Sequence, residues 1–382
     1  MKTLLSNCRL VTPDFDLTAS LLLDDGKVDR IVFPGEEPPA ADKVYDLTGK
    51  SVLPGFIDIH CHGRGNMDFS DATPDAFHTI GCGKLSEGVT GFLATTLTLS
   101  EEDISRTCRC AEDYRRNNTD GARLLGVHLE GPFIAPEGAG AQNPEFLRNP
   151  DIELVKKWND ICPVRKVSFS PELPGALEFI RRLRKLGIMP SGAHSLAEYN
   201  LFEPARAAGM KHLTHFCNVL TPMHHLKFGF VGGGLRSGDV FVETICDGVH
   251  LCDEMIDIIF RLKGPERVMI ITDAMRAAGM PDGQYSLGGL PVFVKNGRAT
   301  LENGRVAGST GLYDDGFRRV LRVTGLPPKE AVKSTSWNQA QSLNLGKRGR
   351  LEPGYEADLV IMDSEWKVLE TWIAGKPRWV RP

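Results

Sequence analysis

The sequence predicts an α/β protein: a (β/α)8 barrel of the TIM type, with a small β domain built from both ends of the chain. Three observations predict it. Eight short apolar runs in the middle alternate with stretches of helical periodicity, both ends show the alternation typical of half-buried strands, and 382 residues exceed the length of one small module. The expected domain limits are residues 1–50 and 348–382 for the β domain and residues 51–347 for the barrel.

The two ends of the chain are predicted to be short strands separated by turns. In the first fifty residues, apolar and polar side chains alternate on either side of an Asp25-Gly26 turn. The same alternation returns in the last thirty-five residues, with a turn at Gly375-Lys376. Two β-rich ends that enclose one long middle segment predict that both ends join in one sheet.

The eight apolar runs of the middle segment are predicted to be the barrel strands. Their hydrophobicity is continuous rather than alternating, which is typical of strands buried on both faces of a parallel sheet. They cover residues 55–60, 90–98, 123–131, 164–172, 187–194, 211–218, 240–250 and 267–275. After the eighth run, residues 283–308 predict a β-hairpin insertion that turns at Asn296-Gly297.

Composition and charge exclude several classes of protein. Forty-five basic and forty-nine acidic residues give a formal net charge of −4, so no basic excess exists to bind nucleic acid. No apolar run reaches the ~18 residues of a membrane-spanning helix, and the first residues lack the pattern of a secretory signal. Nine cysteines without a CxxC pair indicate reduced thiols. We therefore expect an enzyme of the cytoplasm that binds neither nucleic acid nor membranes.

Polar groups able to bind a metal ion collect at the predicted carboxyl ends of the barrel strands, where barrel enzymes carry their active sites. Five of the ten histidines and three carboxylates fall there: His60, His62, Glu130, His194, His215, Asp247, His250 and Asp273. In His60-Cys61-His62 both imidazoles face one side, because strand side chains repeat every two residues. One such histidine alone is more commonly a core residue, but the whole set predicts a site, since buried polar clusters without a role are costly.

The donor types predict a divalent cation. Imidazole nitrogens and carboxylate oxygens suit Zn²⁺, Fe²⁺, Co²⁺ or Mn²⁺. Six such groups are more than one tetrahedral ion needs. They allow one or two ions per subunit, with Glu130 bridging a pair of ions. By contrast, Cys61 is predicted to face away from its neighbouring histidines, and His128 to pack beneath the site.

Six barrel segments carry the most specific motifs: PGFIDIHCHG (54–63), GVHLEGPF (126–133), SGAHS (191–195), LTHFCN (213–218), DGVH (247–250) and ITDAMRAAGMPDGQY (271–285). Together with LEPGYEADLVIMD (351–363), they resemble the amidohydrolase superfamily, and more narrowly its N-acetylglucosamine-6-phosphate deacetylase family. That family takes its acidic ligand from strand three. Other amidohydrolases use a carbamylated lysine at the end of strand four, whereas Lys166 lies at the start of that strand.

The resemblance implies a metal-binding role for six residues, with zinc as the first expectation. The primary ligands are Glu130, His194 and His215, and a second ion can be held by His60 and His62. Asp273 is the catalytic acid/base and also contacts metal.

Substrate-binding roles are implied for Asn218, His250, Gln142, His225 and Lys227. His250 resembles a histidine that contacts the substrate beside its amide carbonyl, which makes it a second catalytic candidate. Asn218 resembles a residue that contacts the sugar. Gln142 stands where the family usually has a histidine.

One departure from the family concerns the substrate phosphate. Where the family reads Arg-Glu-Pro-Gly, this chain reads Leu226-Lys227-Phe228-Gly229. The family arginine holds the phosphate, often across a dimer interface, and a leucine cannot do so. Two interpretations stay open: another cation such as Lys227 or Arg236 compensates, or the substrate has changed.

The function implied by the resemblance is metal-dependent hydrolysis of the N-acetyl amide of an amino sugar by a homodimer. N-acetylglucosamine-6-phosphate, converted to glucosamine-6-phosphate and acetate, is the first expected substrate. The alternative is hydrolysis of a different amide, such as another N-acetyl sugar, an unphosphorylated sugar, or a cyclic or acyl amide. A non-catalytic paralogue is a third possibility, against which the retention of Asp273 and of every metal-binding group argues.

Overall fold

Two large sheets contain most of the strands in this computed structural model, which describes residues 1–382. The strands are, in chain order, β1 (Thr3–Val11), β2 (Asp16–Asp24), β3 (Lys27–Val32), β4 (Lys43–Asp46), β5 (Ser51–Pro54), β6 (Phe56–Cys61), β7 (Gly63–Arg64), β8 (Met67–Asp68), β9 (Val89–Thr96), β10 (Arg123–Glu130), β11 (Val164–Phe169), β12 (Met189–Gly192), β13 (His212–Leu213), β14 (Phe241–Ile245), β15 (Val268–Ile271), β16 (Gly283–Leu287), β17 (Leu290–Lys295), β18 (Arg298–Thr300), β19 (Leu359–Met362), β20 (Val368–Ile373) and β21 (Lys376–Val380).

The helices lie mainly between the strands of the middle segment. They are α1 (Pro74–Leu85), α2 (Glu101–Asn117), α3 (Ile152–Ile161), α4 (Ala176–Lys185), α5 (Tyr199–Ala208), α6 (Gly229–Arg236), α7 (Asp253–Lys263), α8 (Tyr313–Thr324), α9 (Pro328–Ala331) and α10 (Trp337–Ser342). None of them has the length and apolar character needed to cross a bilayer. In α2, the Ser100 hydroxyl caps the first turn by accepting from the Asp103 N–H, and Arg115 and Arg116 lie in the last turn, where cations are favourable.

The predicted barrel is confirmed. A strand forms at each of the eight apolar runs. These strands pair in parallel, in the order β6, β9, β10, β11, β12, β13, β14 and β15. The edge strands then approach each other, because the Asp273 N–H donates to the His60 carbonyl at 2.9 Å and the His62 N–H to the Ala274 carbonyl at 2.8 Å. The nearly closed sheet brings all eight carboxyl ends to one mouth.

The second large sheet is built from both ends of the chain. Its strand order is β21-β20-β19-β5-β1-β2-β3, with β4 paired to β1. A separate core of fourteen buried residues, among them Leu21, Leu359 and Trp372, lies against it. The sheet includes Ser51–Pro54, just beyond the expected limit at residue 50, and the division of the chain into two domains stays a prediction.

The insertion after the eighth barrel strand differs from the predicted single hairpin. β16, β17 and β18 form a three-stranded antiparallel sheet with two turns, one at Asn296-Gly297 as predicted and one at Gly288-Gly289. Both glycines of the second turn have positive φ, 56° and 83°, which glycine adopts without strain. Leu287 packs with Met275 and Leu97 in a small core, which holds the insertion against the mouth of the barrel.

Candidate active site

Six side chains that can bind a metal ion meet at the mouth of the barrel. Their donor atoms form two groups, in each of which the atoms lie within 4.8 Å of one another: His60, His62 and Asp273, and Glu130, His194 and His215. All six residues are buried. Glu130 joins the two groups, because one carboxylate oxygen lies 3.1 Å from His62 Nε2 and the other 3.1 Å from His215 Nε2.

The spacing of the donor atoms fits one shared divalent ion in each group. Donors on a tetrahedral ion with bonds of ~2.0–2.1 Å are about 3.3–3.4 Å apart. In the first group, Asp273 Oδ1 lies 3.2 Å from His60 Nε2 and 3.3 Å from His62 Nε2, and the two nitrogens are 3.3 Å apart. In the second, Glu130 Oε1 lies 3.1 Å from His215 Nε2 and 3.4 Å from His194 Nε2.

The hydrogen bonds of His194 and His215 leave their inner nitrogens available to a cation. His194 Nδ1 donates to the Gly138 carbonyl at 2.9 Å, and His215 Nδ1 donates to the Asn218 carbonyl at 3.2 Å. Their Nε2 atoms therefore carry lone pairs, yet these atoms lie only 3.0 Å apart. Two facing lone pairs repel unless a cation lies between them, so these residues fit a metal ion.

The electrostatics of the site also favour a bound cation. Burial by itself raises the pKa of Asp273, but His60 and His62 outweigh burial and hold this pKa well below its usual range. Burial lowers the pKa of His60, but Glu130 and Asp273 outweigh it and hold this pKa well above the usual value. Burial lowers the pKa of His215 despite its bond to Glu130. Ionised carboxylates and a neutral His215 imidazole are the forms that bind metal, and a metal ion at this site would replace the proton that the two carboxylates favour on His60.

Three of the six donors have a left-handed backbone. His194, His215 and Asp273 each lie two residues beyond the end of a barrel strand, with φ of 47°, 30° and 50°. Residues other than glycine rarely adopt this conformation, which costs about 1–3 kcal/mol each and concentrates at functional sites. Because all three turns bring metal-binding atoms to one point, they indicate a functional constraint on the backbone.

An ion pair inside the barrel orients His60 from below. His60 Nδ1 lies 3.3 Å from Glu243 Oε2, and the other oxygen of Glu243 accepts from the Lys166 ammonium. Burial raises the pKa of Glu243, but Lys166 outweighs burial and holds this pKa well below the usual range. A carboxylate behind a ligating histidine fixes its tautomer and orientation. Lys166 is thus paired beneath the site and lies outside both donor groups.

A cavity of about 350 Å³ opens above the donors, and His250 is one of the residues that line it. His250 Nδ1 donates to Asp247 Oδ2 at 2.8 Å, which leaves Nε2 for a ligand. Asp247 Oδ1 in turn accepts from the backbone N–H groups of Val249 and His250. Burial lowers the pKa of His250, but Asp247 outweighs it and raises the pKa above the usual value. His250 therefore suits hydrogen-bond donation into the cavity.

Gln142 and Asn218 also line the cavity, and each touches a metal-binding group. Gln142 Nε2 donates to Glu130 Oε2 at 2.7 Å, while its Oε1 accepts from the Thr98 N–H at 2.8 Å. The amide of Gln142 therefore orients the Glu130 carboxylate. The carbonyl of Asn218 accepts from His215, as described above. Their predicted contacts with substrate stay predictions.

The structure does not bring His225 or Lys227 to the cavity. Both are exposed on the loop that precedes α6, and neither is among the residues that line the cavity within this chain. Leu226 between them is 80% exposed. Substrate-binding roles for His225 and Lys227 therefore remain predictions without support from the geometry of a single chain.

Cys61 and His128 lie outside the donor groups, as predicted. Cys61 is fully buried, with Sγ directed to the Leu93 carbonyl. His128 Nε2 lies 2.7 Å from the Ser168 hydroxyl, and its ring packs edge-on against His60. His128 thus packs beneath the site, whereas Cys61 belongs to the apolar core that includes residues of the surrounding helices.

Sequence reasoning missed Glu243, Gly138 and Arg305. Glu243 had a detectable signal, since it is a charged residue inside the otherwise apolar run 240–250. Gly138 acts through its carbonyl, which no side-chain pattern reveals. Arg305 reaches the cavity from the insertion, at a place that only the packing of the insertion determines.

Comparisons with known proteins agree with this geometry. The amidohydrolase family matches residues 51–380. The N-acetylglucosamine-6-phosphate deacetylase of Lysinibacillus sphaericus is 38% identical over 333 residues, which cover 87% of this chain and 86% of the relative. The N-acetylgalactosamine-6-phosphate deacetylase of Escherichia coli O157:H7 is 33% identical over 94% of this chain and 96% of the relative.

Solved structures lead to the same group. A variant of the N-acetyl-D-glucosamine-6-phosphate deacetylase of Mycobacterium smegmatis, in complex with N-acetyl-D-glucosamine-6-phosphate, superposes with a TM-score of 0.92 at 31% identity, covering 99% of each chain. The Thermotoga maritima N-acetylglucosamine-6-phosphate deacetylase gives a TM-score of 0.90 at 34% identity, over 99% of this chain and 100% of that one. This protein is therefore a hydrolase of the amidohydrolase family, and it belongs to the N-acetylglucosamine-6-phosphate deacetylase group within that family.

Proposed function

We propose that this protein hydrolyses the N-acetyl amide of N-acetylglucosamine-6-phosphate, giving glucosamine-6-phosphate and acetate. The observation that carries the proposal is the pair of donor groups joined by Glu130, with Asp273 lining the cavity above them. The sugar phosphate held by the Mycobacterium smegmatis relative supports the choice of substrate.

The residues of the site suit a hydrolytic mechanism. When bound, a divalent ion supplies Lewis-acid activation of water and of an amide carbonyl. The Asp273 carboxylate, kept ionised by its lowered pKa, accepts a proton from the attacking water and passes it to the amide nitrogen as the C–N bond breaks. His250 Nε2 donates to the carbonyl oxygen as negative charge develops there, while Asp247 holds the imidazole in place.

We propose zinc as the ion, because the two histidines and the carboxylate of each donor group are ligands that zinc accepts. Glu130, His194 and His215 would hold a first ion, and the other group (His60, His62 and Asp273) a second. Iron, cobalt and manganese also accept these ligands. Metal analysis of protein purified without added metal identifies the ion and counts it per subunit.

We also propose that the protein is a homodimer of the cytoplasm. Three large apolar side chains, Leu196, Met223 and Leu226, are at least half exposed near the mouth of the barrel, as is typical of an interaction surface. All nine cysteines are free, which suits a reducing compartment. Sedimentation equilibrium measures the oligomeric state directly.

A second candidate substrate is N-acetylgalactosamine-6-phosphate, because the Escherichia coli relative carries the name of that activity. The test measures acetate release from both sugar phosphates and from unphosphorylated N-acetylglucosamine, with the metal quantified in the same preparation. We expect the glucosamine derivative to react fastest. Turnover of the unphosphorylated sugar alone, or of none of the three by metal-loaded protein, would contradict the proposal and favour a different amide or a non-catalytic role.

The Asp273→Asn variant tests the mechanism. Asparagine cannot carry the proton, so we expect kcat to fall by about 10²–10⁴-fold. The ion held by Glu130, His194 and His215 should remain, because none of its ligands changes. Metal analysis beside the acetate assay checks both expectations, and near-normal turnover in this variant would contradict the role of Asp273.

A further inference from the structure

The cavity above the donor groups contains only one side chain with a permanent positive charge. Its lining includes three carboxylates, Glu130, Glu137 and Asp273, together with four histidines. Arg305 is the only arginine or lysine among the lining residues. It comes from the short turn after β18, on the insertion that packs against the mouth of the barrel.

The Arg305 guanidinium has no partner within the chain. The residue is exposed, and it is fixed only through its backbone, whose N–H donates to the Asn303 side chain and whose carbonyl accepts from the Leu301 N–H. Most other arginines bordering a depression are paired; Arg318 and Arg319, for example, bond Asp314 and Asp253. An unpaired arginine at a cavity that holds buried histidines and carboxylates is available for an anionic group of a ligand.

The other cations that sequence analysis considered are placed elsewhere. Arg236 lies 3.4 Å from the Tyr199 hydroxyl and lines a separate depression with Glu203 and Asp239. Lys227 is exposed on a loop outside the cavity. Within one chain, neither residue lines the cavity above the donor groups, whereas Arg305 does.

We propose that Arg305 forms a subsite for a phosphomonoester, and that this subsite receives the 6-phosphate of the sugar; this inference rests on the proposed function. If the amide of the substrate lies at Asp273 and His250, the phosphate at the far end of the sugar extends toward the rim. There a guanidinium can donate two parallel hydrogen bonds to phosphate oxygens.

The Arg305→Ala variant tests the subsite, with Lys295→Ala as the matched control. Lys295 is an exposed cation of the same insertion that does not line the cavity. Loss of a hydrogen-bonded ion pair is expected to lower kcat/KM for N-acetylglucosamine-6-phosphate by about 10–100-fold, mainly through KM. Activity on unphosphorylated N-acetylglucosamine should stay the same, and Arg305→Lys should recover part of the loss.

Inhibition by inorganic phosphate gives a second measurement that does not depend on turnover of a phosphorylated sugar. The inhibition or dissociation constant for phosphate should rise in Arg305→Ala and stay unchanged in Lys295→Ala. Equal losses on both sugars, or unchanged phosphate binding, would overturn the subsite while leaving the deacetylase proposal intact. A metal-loaded wild type that cleaves no phosphorylated sugar would contradict the proposed function, and phosphate binding would still decide the role of Arg305.

Discussion

The inner and outer ends of the cavity are built in different ways. At the inner end, six metal-binding groups lie at or just beyond the ends of barrel strands, are buried, and approach one another to 3.0–3.4 Å. At the outer end, the exposed side chains of Glu137 and Arg305 come from a loop and from the insertion. The difference indicates that bond cleavage depends on the rigid barrel, whereas recognition of the rest of the substrate depends on segments that can vary without disturbing it.

The largest expected effect separates two glutamates of the same cavity. Glu130→Gln removes the carboxylate that joins both donor groups, so we expect purified protein to lose most of its metal and turnover to fall by about a thousandfold or more. Glu137→Gln, at the rim, should keep the full metal content. Metal analysis of both variants makes the comparison, and a metal-free Glu137→Gln or a fully loaded Glu130→Gln would break the distinction between the two ends.

An intermediate effect is expected beneath the inner end. Glu243→Gln weakens the contact that orients His60 and leaves the Lys166 ammonium unpaired in the core. We expect metal affinity to fall by about 10–100-fold and the free energy of unfolding to fall by about 3–5 kcal/mol. The double variant Lys166→Met/Glu243→Gln should regain stability but not metal affinity, as titration with zinc and chemical denaturation would show. Unchanged affinity in both variants would mean that the ion pair serves stability alone.

The smallest expected effect is a shift of the pH profile. Asp247 raises the pKa of His250 by stabilising its protonated imidazole. Asp247→Asn removes that charge, so the pKa of His250 falls and donation into the cavity is lost at a lower pH. The alkaline limb of the profile of kcat against pH should therefore move to lower pH, by about one unit or less. An unshifted alkaline limb would show that His250 does not act as a proton or hydrogen-bond donor.

Much of the inner end could be predicted from residues close together in the chain. The apolar runs revealed the eight strands, and residues such as His60 and Glu130 stand directly at their carboxyl ends, which a parallel barrel must bring together. The insertion differs from the predicted single hairpin, because Gly288-Gly289 forms a second turn, for which paired glycines are a common signal. Glu243, which contacts His60, is 183 residues away from it in the chain. Nothing in the sequence links Arg305 to the cavity.

Periodicity and motifs are local properties of the chain, and they predicted the barrel, the family and the six candidate metal ligands that the structure brings together. By contrast, tertiary packing alone brings Gln142 to Glu130, pairs Glu243 with Lys166, and places Arg305 at the cavity. These contacts join segments far apart in the chain. Their geometry follows from how the strands, loops and insertion pack against one another, and no local pattern encodes that packing.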